Sequence, residues 1–313
     1  MAFIGIDLGG TKIRAAITDV NGSIIAEIVE KTRPAGGHQV VSQLAMMSKS
    51  LARNTRTPWK AIQRVGVGSP GLVRPDGTIH YASNLKGFDT LRLGALLTKA
   101  LRTTVVIEND ANVAAVGEGT FGVAVGCQNY AVMSIGTGTG LGLIAEGELI
   151  RGSRGGAGEI AFLPIGGNPQ LPRSRSGGTL ESAASGPAML GHARQLRELH
   201  PGTVLTSRCT VQDIFDHPDD VVAHLVIERE AALLAKAILC ISSIVDPELV
   251  VLAGGVGARA ELLQPVRQYA DLILPFRLRI ETSTLGNRSG LLGAVALAVQ
   301  NSLETQPKAQ PQI

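Results

Sequence analysis

Three polar residues, Glu108, Asn109 and Asp110, follow an apolar, β-branched run at 105–107 and precede a run of small residues. The pattern predicts a short buried strand that leads into a helix. A carboxylate at the carboxyl end of a strand in an α/β sheet faces the crevice where ligands bind. Asp110 is therefore placed to accept a proton from a bound hydroxyl. The same position also suits a helix N-cap, and the segment by itself favours neither role.

Two glycine-rich turns have the composition of anion-binding loops. The first runs through Asp7–Lys12 and the second through Gly136–Gly140. Glycine lets backbone amides approach an anion closely, and Thr11 and Lys12 add a hydroxyl donor and a positive charge. For the first turn an ordinary hairpin turn is the alternative interpretation, but Asp7, Thr11 and Lys12 together in one tight tip favour an anion-binding loop.

Other phosphate-binding motifs are weak or missing from the sequence. Residues 140–145 match the loose GxGxxA pattern of dinucleotide-binding proteins, but that motif requires a helix directly afterwards, and this stretch is typical of a strand. No Gly-Lys-Ser/Thr sequence occurs, which excludes a P-loop. A third glycine group, Gly254–Val256, lies between a predicted strand at 248–252 and a helix. It would admit a flat ligand such as adenine, or simply allow close packing.

The order of the predicted elements repeats along the chain. Apolar runs within residues 2–29 predict an antiparallel meander whose first turn is Asp7–Lys12. Runs within residues 130–145 begin the same pattern again around the second glycine-rich turn. Two copies of one unit predict an α/β protein of two related domains that face each other across a cleft.

Composition and charge exclude several functional classes. The 313 residues are 44% hydrophobic and 18% charged, which suits a globular chain long enough for two domains. The net charge of +3 is small, and no run of Lys and Arg indicates a nucleic-acid-binding stripe. Three widely spaced cysteines fit neither a disulfide framework nor a zinc knuckle. No apolar run spans a membrane and no targeting leader is evident, so we expect a cytoplasmic protein that binds neither nucleic acid nor membrane.

Taken together, the motifs resemble those of the ROK sugar kinases, a family within the actin, hexokinase and Hsp70 superfamily. The resemblance covers about residues 3–300 and rests on Asp7–Lys12, Gly68–Gly71, Asn84, Glu108–Asn112, Gly136–Gly140, Gly158-Glu159, Leu180-Glu181 and Gly254–Val256. It implies an α/β fold of two ribonuclease-H-like (actin-like ATPase) domains facing a central cleft. The smaller domain would span residues 1–115, joined by a C-terminal helix at about 291–313, and the larger would span residues 116–290.

The resemblance also implies roles for individual residues. Asp110 would be the catalytic base that takes the proton from the sugar 6-hydroxyl, and Asp7 would hold Mg²⁺ through water. The sugar would be bound by Gly71, Asn84, Asn109, Asp110, Glu159 and Glu181. ATP would be bound by Asp7, Gly9, Gly10, Thr11, Lys12, Gly136, Thr137, Gly138, Gly254, Gly255 and Val256.

One region departs from the family pattern. Phe162 stands three residues after Glu159, where the family usually has a histidine. Pro172, Ser174 and Thr179 stand where the family usually has cysteines that bind a structural zinc. We predict no zinc site, because these side chains do not supply the roughly four nitrogen or sulfur ligands that structural zinc needs.

The same substitutions affect two further expectations. Without the family histidine, selection near the anomeric end of the sugar should depend mainly on Glu159 and Glu181. Without zinc, the polar loop at 166–179, which precedes a helix predicted at 180–199, must be held in another way. Either packing holds the loop, for example with Phe162 and Pro164 buried beneath it, or the loop is mobile.

The leading interpretation is ATP-dependent phosphorylation of a hexose 6-hydroxyl, with glucose as the best single substrate. Fructose, mannose, an N-acetylhexosamine or an amino sugar stay open as alternatives. The family also contains sugar-sensing repressors, but those begin with a winged helix-turn-helix, whereas this chain begins directly on the first glycine-rich hairpin. A non-catalytic sugar-binding protein is the remaining alternative. The resemblance further implies that the enzyme needs ATP and Mg²⁺ and forms a homodimer.

Overall fold

The structure is a computed structural model that describes residues 1–82 and 85–303 of the chain. The described chain forms two compact units. The first contains Met1–Phe121, Arg151–Ala157 and the C-terminal segment from Arg288, and the second contains Gly122–Ile150 and Gly158–Asn287. The domain boundaries given above from the sequence stay predictions.

The first unit has a mixed sheet flanked by helices. Its strands are β1 (Ala2–Leu8), β2 (Lys12–Thr18), β3 (Ile24–Lys31), β4 (Ile62–Ser69), the short pair β5 (Leu72–Val73) and β6 (Ile79–His80), and β7 (Thr104–Asn109). Its first helices are α1 (Gly37–Asn54), α2 (Leu93–Leu101) and α3 (Asp110–Phe121).

The second unit repeats this combination of sheet and helices. Its strands are β8 (Tyr130–Ile135), β9 (Thr139–Ala145), β10 (Glu148–Leu149), β11 (Leu249–Ala253) and β12 (Arg279–Thr282). Its helices are α4 (Pro172–Gly177), α5 (Thr179–Ala183), α6 (Gly186–Leu199), α7 (Val211–Asp216), α8 (Val221–Val245), α9 (Gly254–Gly257) and α10 (Ala260–Ile273). The chain then returns to the first unit as α11 (Ser289–Leu303).

The two large sheets share one strand order. It is β3-β2-β1-β4-β7 in the first unit and β10-β9-β8-β11-β12 in the second. Each sheet begins with an antiparallel meander, and two further strands then add parallel to the first strand of that meander. The predicted α/β class with two related units is confirmed. Residues 140–145 lie within β9 and lead into a strand, so the GxGxxA match has no helix after it.

Glycines and alanines let α3 and α11 approach the first sheet and each other. A Cβ added to Gly66 of β4 would collide with the carbonyl oxygen of Ala294 in α11. A Cβ added to Gly117 of α3 would lie 3.0 Å from the Cα of Gly293. Because a larger side chain would push these elements apart, the small residues of α3 and α11 permit this close packing.

The long helix α8 runs through the core of the second unit, where side chains such as Leu234 and Ile238 are buried. The carboxylic side chain of Glu230 lies in the same core and is 2% exposed. Its Oε1 has no hydrogen-bond partner among the described residues. Burial raises the pKa of Glu230 to about 8, although the charge of Arg229 opposes the shift. Glu230 is therefore mostly protonated at neutral pH.

The structure differs from two sequence-based expectations about helices. The stretch at 180–199 is not one helix, because the chain breaks between α5 and α6 and Ser185 caps α6 by accepting a hydrogen bond from Ala188 N. The polar loop at 166–179 contains the short helix α4, which Pro172 begins. Across the part of the chain that the structure describes, no helix has both the length and the apolar character needed to cross a membrane.

Candidate active site

The carboxyl ends of three parallel strands lie side by side in the first unit. The register of β1, β4 and β7 pairs Asp7 with Gly68, and Gly68 with Glu108. Two of the motifs picked out in the sequence, one after β1 and one after β7, therefore meet at one edge of one sheet. This is the edge at which open α/β sheets bind ligands.

The hydrogen bonds in the turn from β7 to α3 distinguish between the two roles considered for Asp110, proton acceptor and helix N-cap. Asn109 Oδ1 accepts hydrogen bonds from the backbone nitrogens of Ala111 at 2.9 Å and Asn112 at 3.3 Å. Asn109 is thus the N-cap of α3. Asp110 is the first residue of the helix and is exposed, and its Oδ1 lies 2.9 Å from Ala111 N. The N-cap interpretation of Asp110 is wrong, because its neighbour fills that role.

Gly71, another predicted sugar-binding residue of the first unit, supports this turn. Asn109 Nδ2 donates a hydrogen bond of 2.9 Å to the carbonyl oxygen of Gly71. Gly71 has φ +89°, and a Cβ there would lie 2.6 Å from the carbonyl oxygen of His80, so glycine is required. Asn84, predicted to bind sugar hydroxyls, lies outside the described residues.

The first glycine-rich tip is a closed turn held from the side. Gly9 N donates to the carbonyl oxygen of Lys12 at 3.0 Å, and Thr32 N donates to Thr11 O at 3.0 Å. The Thr32 hydroxyl donates a second bond, of 2.6 Å, to Gly9 O. Gly10, Thr11 and Lys12 are exposed. The tip therefore presents an ordered backbone, a hydroxyl and an ammonium group to solvent, a donor set that suits phosphate oxygens.

Asp7 lies at the end of β1, just before this tip. Burial raises the pKa of Asp7, and the opposing charges of Arg14 and Lys12 offset part of the rise. Gly290 in the first turn of α11 lies against the carboxylate, since a Cβ there would be 2.8 Å from Asp7 Oδ1. A carboxylate beside a phosphate-binding turn is a normal Mg²⁺ ligand, because Mg²⁺ takes one or two carboxylates together with substrate phosphates and water.

The second glycine-rich tip makes direct contact with a predicted sugar-binding residue. Thr139 N donates a hydrogen bond of 2.9 Å to Glu181 Oε2, and the Thr139 hydroxyl donates one of 2.6 Å to Ala184 O. A Cβ added to Gly138 would lie 2.7 Å from the same Glu181 oxygen. The carboxylate of Glu181 is therefore held by the tip itself, so the predicted phosphate and sugar sites adjoin within the second unit.

Glu159 is the second carboxylate at this place. Burial raises the pKa of Glu159 first, and the nearby charge of Glu181 raises it further. Gly158 precedes it with φ +90°, in contact with the carbonyl oxygen of Leu141, where a Cβ would collide. The absence of a side chain at Gly158 therefore lets the start of the Glu159 turn pack directly against β9.

The glycines after β11 meet the same tip from another side. Gly254 has φ +84°, and a Cβ on Gly136 would lie 3.8 Å from Gly255 N. Gly186, the first residue of α6, donates a hydrogen bond of 2.8 Å to Gly136 O. A Cβ on Gly255 would meet nothing within 4 Å. The Gly254–Val256 turn thus lies beside the tip with open space in front of it, as an adenosine pocket requires.

A pocket of about 540 Å³ lies in the second unit, and both Thr137 and Glu181 line it. Ser185 and Ala188 at the start of α6 and Arg229 of α8 contribute to its walls. The pocket unites a residue of the second tip with the carboxylate that this tip holds. Its size suits a small polar molecule.

Comparison with known proteins identifies the family. The sequence model described as the ROK family matches residues 3–301. The chain belongs to the ROK family. It is 30% identical to the glucokinase of Halalkalibacterium halodurans, over 96% of this chain and 97% of that protein. It is also 30% identical to the beta-glucoside kinase of Listeria monocytogenes, over 94% of this chain and 96% of that protein.

A solved structure of the ROK family agrees with this assignment. The crystal structure of a ROK family glucokinase from Streptomyces griseus in complex with glucose and AMPPNP has a TM-score of 0.80 and 27% sequence identity. The similarity covers 96% of this chain and 100% of that one. The two sheet-and-helix units therefore have the actin-like ATPase fold of ROK proteins.

The region that departs from the ROK pattern is not packed as expected. Phe162 is 52% exposed and Pro164 is also exposed, so burial of these two residues beneath the loop at 166–179 is wrong. Ser174 and Thr179 are the buried members of this region instead. In the described part of the chain, no group of three or more His, Cys, Asp or Glu residues is arranged to hold a metal ion. The lack of zinc stays a prediction.

Several residues that shape the candidate site were missed in the sequence. Thr32 braces the first tip from 23 residues away, Gly290 contacts Asp7, and Arg151 contacts Glu108. Each is a common residue type in an ordinary context. The one signal that could have pointed to a close approach is the group of small residues near the start of the last helix, among them Gly290 and Gly293.

Proposed function

We propose that the protein is a sugar kinase that transfers the γ-phosphoryl group of ATP to the 6-hydroxyl of a hexose, with glucose as the preferred sugar. The observation that carries the proposal is the exposed carboxylate of Asp110, presented at the strand edge that also carries Asp7. The names of two relatives, a glucokinase and a beta-glucoside kinase, support phosphoryl transfer. The glucose and AMPPNP bound to the Streptomyces griseus enzyme support both substrates.

In the proposed reaction, Asp110 is the general base. As the 6-oxygen of the sugar bonds to the γ-phosphorus, its proton passes to the Asp110 carboxylate, the bond to the β–γ bridging oxygen breaks, and ADP leaves. A positioned base contributes about 10²–10⁴-fold to such a step. Asn109, Gly71 and Asn84 are proposed to orient the sugar, and the Asn109–Gly71 hydrogen bond supports a shared role.

The nucleotide is proposed to bind the two glycine-rich tips and the turn after β11. Gly9, Gly10, Thr11 and Lys12 would contact phosphate oxygens from one unit, and Gly136, Thr137 and Gly138 from the other. Gly254, Gly255 and Val256 would line the adenosine pocket. Asp7 would hold Mg²⁺ through water, and the bound ion would neutralise charge on the transferred group.

Glu159 and Glu181 are proposed to select the sugar near its anomeric end. A carboxylate accepts hydrogen bonds from hydroxyl groups, and a protonated carboxyl donates one as well. Because burial and the charge of Glu181 raise the pKa of Glu159, the Glu159 carboxyl keeps its proton to a higher pH than an ordinary glutamate and can then donate a hydrogen bond. The exposed, apolar side chain of Phe162 offers no hydrogen bond to a sugar here.

A coupled assay of ADP release over a panel of sugars tests the proposal. The panel is glucose, mannose, fructose, N-acetylglucosamine and glucosamine, each with ATP and Mg²⁺, and sugar binding is followed in parallel by calorimetry. We expect the highest kcat/KM for glucose, by about tenfold or more over its C2 epimer mannose, which corresponds to about 1.4 kcal/mol. A higher value for another sugar would reject glucose but keep phosphoryl transfer.

Two other outcomes decide the remaining alternatives. Tight sugar binding without ADP release from any member of the panel would contradict the kinase proposal and support a non-catalytic sugar sensor. Analytical ultracentrifugation tests the homodimer that we also propose, and a monomer at assay concentration would reject it.

A further inference from the structure

The segment Arg151–Ala157 belongs to the first unit, although the residues on both sides of it belong to the second. A hydrogen bond of 3.0 Å from Ala157 N to Arg151 O closes the segment on itself. Gly155, with φ +78°, lies against the carbonyl oxygen of Val73 in β5, where a Cβ would collide. The segment is therefore seated on the first unit through its backbone, at the strand that follows Gly71.

The position of this segment brings the Arg151 side chain into contact with the carboxylate of Glu108. Arg151 Nε lies 2.6 Å from Glu108 Oε2. The other oxygen, Oε1, accepts hydrogen bonds from Asn109 N at 2.9 Å and from Asn112 Nδ2 at 3.0 Å. The Glu108 side chain is 6% exposed, whereas that of Arg151 is 51% exposed. A half-exposed cation thus compensates a carboxylate that is buried under the β7–α3 turn.

Glu108 holds this turn on both sides of Asp110. Its two hydrogen bonds through Oε1 come from the residue before Asp110 and from the second residue after it. Those same residues take part in the N-cap of α3, because Asn109 Oδ1 accepts from Asn112 N. The direction of the Asp110 carboxylate therefore depends on where Glu108 lies.

We propose that Arg151 is a positioning residue for Asp110 and acts through Glu108. Removing Arg151 would leave the buried Glu108 carboxylate without its cation, and an uncompensated buried charge is unfavourable. The Glu108 carboxylate would then turn towards water and release Asn109 and Asn112, so the turn that carries Asp110 would loosen. The inference rests on the proposed function, in which Asp110 is the base.

The connecting segment itself offers a matched control. Arg154 lies in the same segment, is exposed, and makes no hydrogen bond or ion pair with the described residues. Arg154→Met and Arg151→Met therefore remove the same charge and add the same side chain three residues apart. Any general effect of charge or of the substitution on folding should be equal in the two variants.

Steady-state kinetics on the full-length protein test the positioning role. We expect Arg151→Met to lower kcat about tenfold or more, with the KM for ATP within about twofold of the parent, because the loosened turn carries the base and no proposed nucleotide-binding residue. Arg151→Lys, which keeps a cation able to donate one bond, should recover most of the loss, and Arg154→Met should match the parent. The double variant Arg151→Met/Glu108→Gln should lose no more than the worse single variant, because both act through one contact.

Hydrogen–deuterium exchange separates this inference from the proposed function. In Arg151→Met, amides of residues 109–112 should exchange about fivefold faster or more, while exchange in α8 should be unchanged. In Arg154→Met, all of these amides should exchange at the parent rate. A parent enzyme without turnover, but with this exchange pattern in Arg151→Met, would reject the kinase proposal and keep the contact between Arg151 and the turn. Parent-like kcat in Arg151→Met, or equal losses in the two methionine variants, would overturn the positioning role.

Discussion

The two glycine-rich tips arise from the same strand order but are stabilised by different means. The first tip has residues 9–11 between β1 and β2, and Lys12 begins β2. Thr32 braces this tip, and the half-buried Asp7 lies just before it. The second leaves residues 136–138 between β8 and β9 and contains no charged residue. A carboxylate from another element, Glu181, braces it.

This difference shows how a repeated scaffold can present two chemistries. The strand edge of the first unit carries charged groups. Their types are those that bind a metal ion, bind a phosphate and accept a proton. The second tip supplies backbone shape and a carboxylate held in place, which suit binding and selection. Substitutions in the first unit should therefore lower turnover, and substitutions at the second tip should weaken binding.

The largest effect should follow from Asp110→Asn. The amide keeps the shape of the side chain but no longer accepts the proton, so kcat should fall about 10²–10⁴-fold while sugar affinity changes little. Steady-state kinetics and calorimetry measure the two quantities separately. Asp219→Asn, an exposed acid far from the turn in sequence, is the control. Near-normal turnover of Asp110→Asn would remove Asp110 from the base role and erase the contrast between the units.

Gly138→Ala should act on binding instead. The new Cβ would lie 2.7 Å from Glu181 Oε2 and should displace that carboxylate from Thr139 N. The sugar KM should rise about tenfold, a loss of about 1.4 kcal/mol, with a smaller fall in kcat. Gly202→Ala is the control, because a Cβ there would meet nothing within 4 Å. A fall in kcat alone, at unchanged sugar KM, would contradict the assignment of the second tip to binding.

The second unit also contains a buried carboxyl group, that of Glu230, for which we predict no role in binding or catalysis. Its pKa of about 8 in the folded protein lies above the ordinary value of 4.5. Between these two pH values the unfolded chain ionises Glu230 while the folded protein keeps it protonated, so the free energy of unfolding should fall by up to about 1.4 kcal/mol per pH unit. Below pH 4.5 the contribution is fully retained, and above about 8 the loss is complete.

Glu230→Gln should remove this pH dependence. Urea unfolding between pH 5 and 8 should show a variant that gains stability relative to the parent as the pH rises, with activity unchanged at neutral pH. Glu198→Gln, at an exposed position of α6, should follow the parent. Parallel stability curves for Glu230→Gln and the parent would show that burial does not perturb this carboxyl.

The smallest expected effect concerns zinc in the second unit. Because Phe162, Pro172, Ser174 and Thr179 offer no nitrogen or sulfur side-chain ligand, a zinc chelator should leave the Tm unchanged. Elemental analysis of the purified protein should find less than stoichiometric zinc, whereas removal of Mg²⁺ should abolish turnover. One zinc per chain, or a Tm lowered by the chelator, would contradict this prediction.

The local features of both units could be predicted from the sequence. The alternation of apolar runs and glycine-rich turns indicated both meanders, and the β-branched run before Asp110 indicated β7 and the start of α3. These features depend on residues within one element or turn, where periodicity and backbone freedom determine the conformation. The ROK resemblance then predicted the fold and the family, and both are confirmed.

The partners that hold the site were decided only by the tertiary structure. Glu181 accepts a hydrogen bond from Thr139 across 42 residues, and Arg151 meets Glu108 across 43. Gly290 reaches Asp7 only because α11 returns to the first sheet. A carboxylate that folding removes from water needs a donor from whichever element packs against it, and several arginines and backbone amides would satisfy that need equally well in sequence. Which residue contacts a given carboxylate therefore depends on how distant segments pack, and the local sequence pattern does not contain that information.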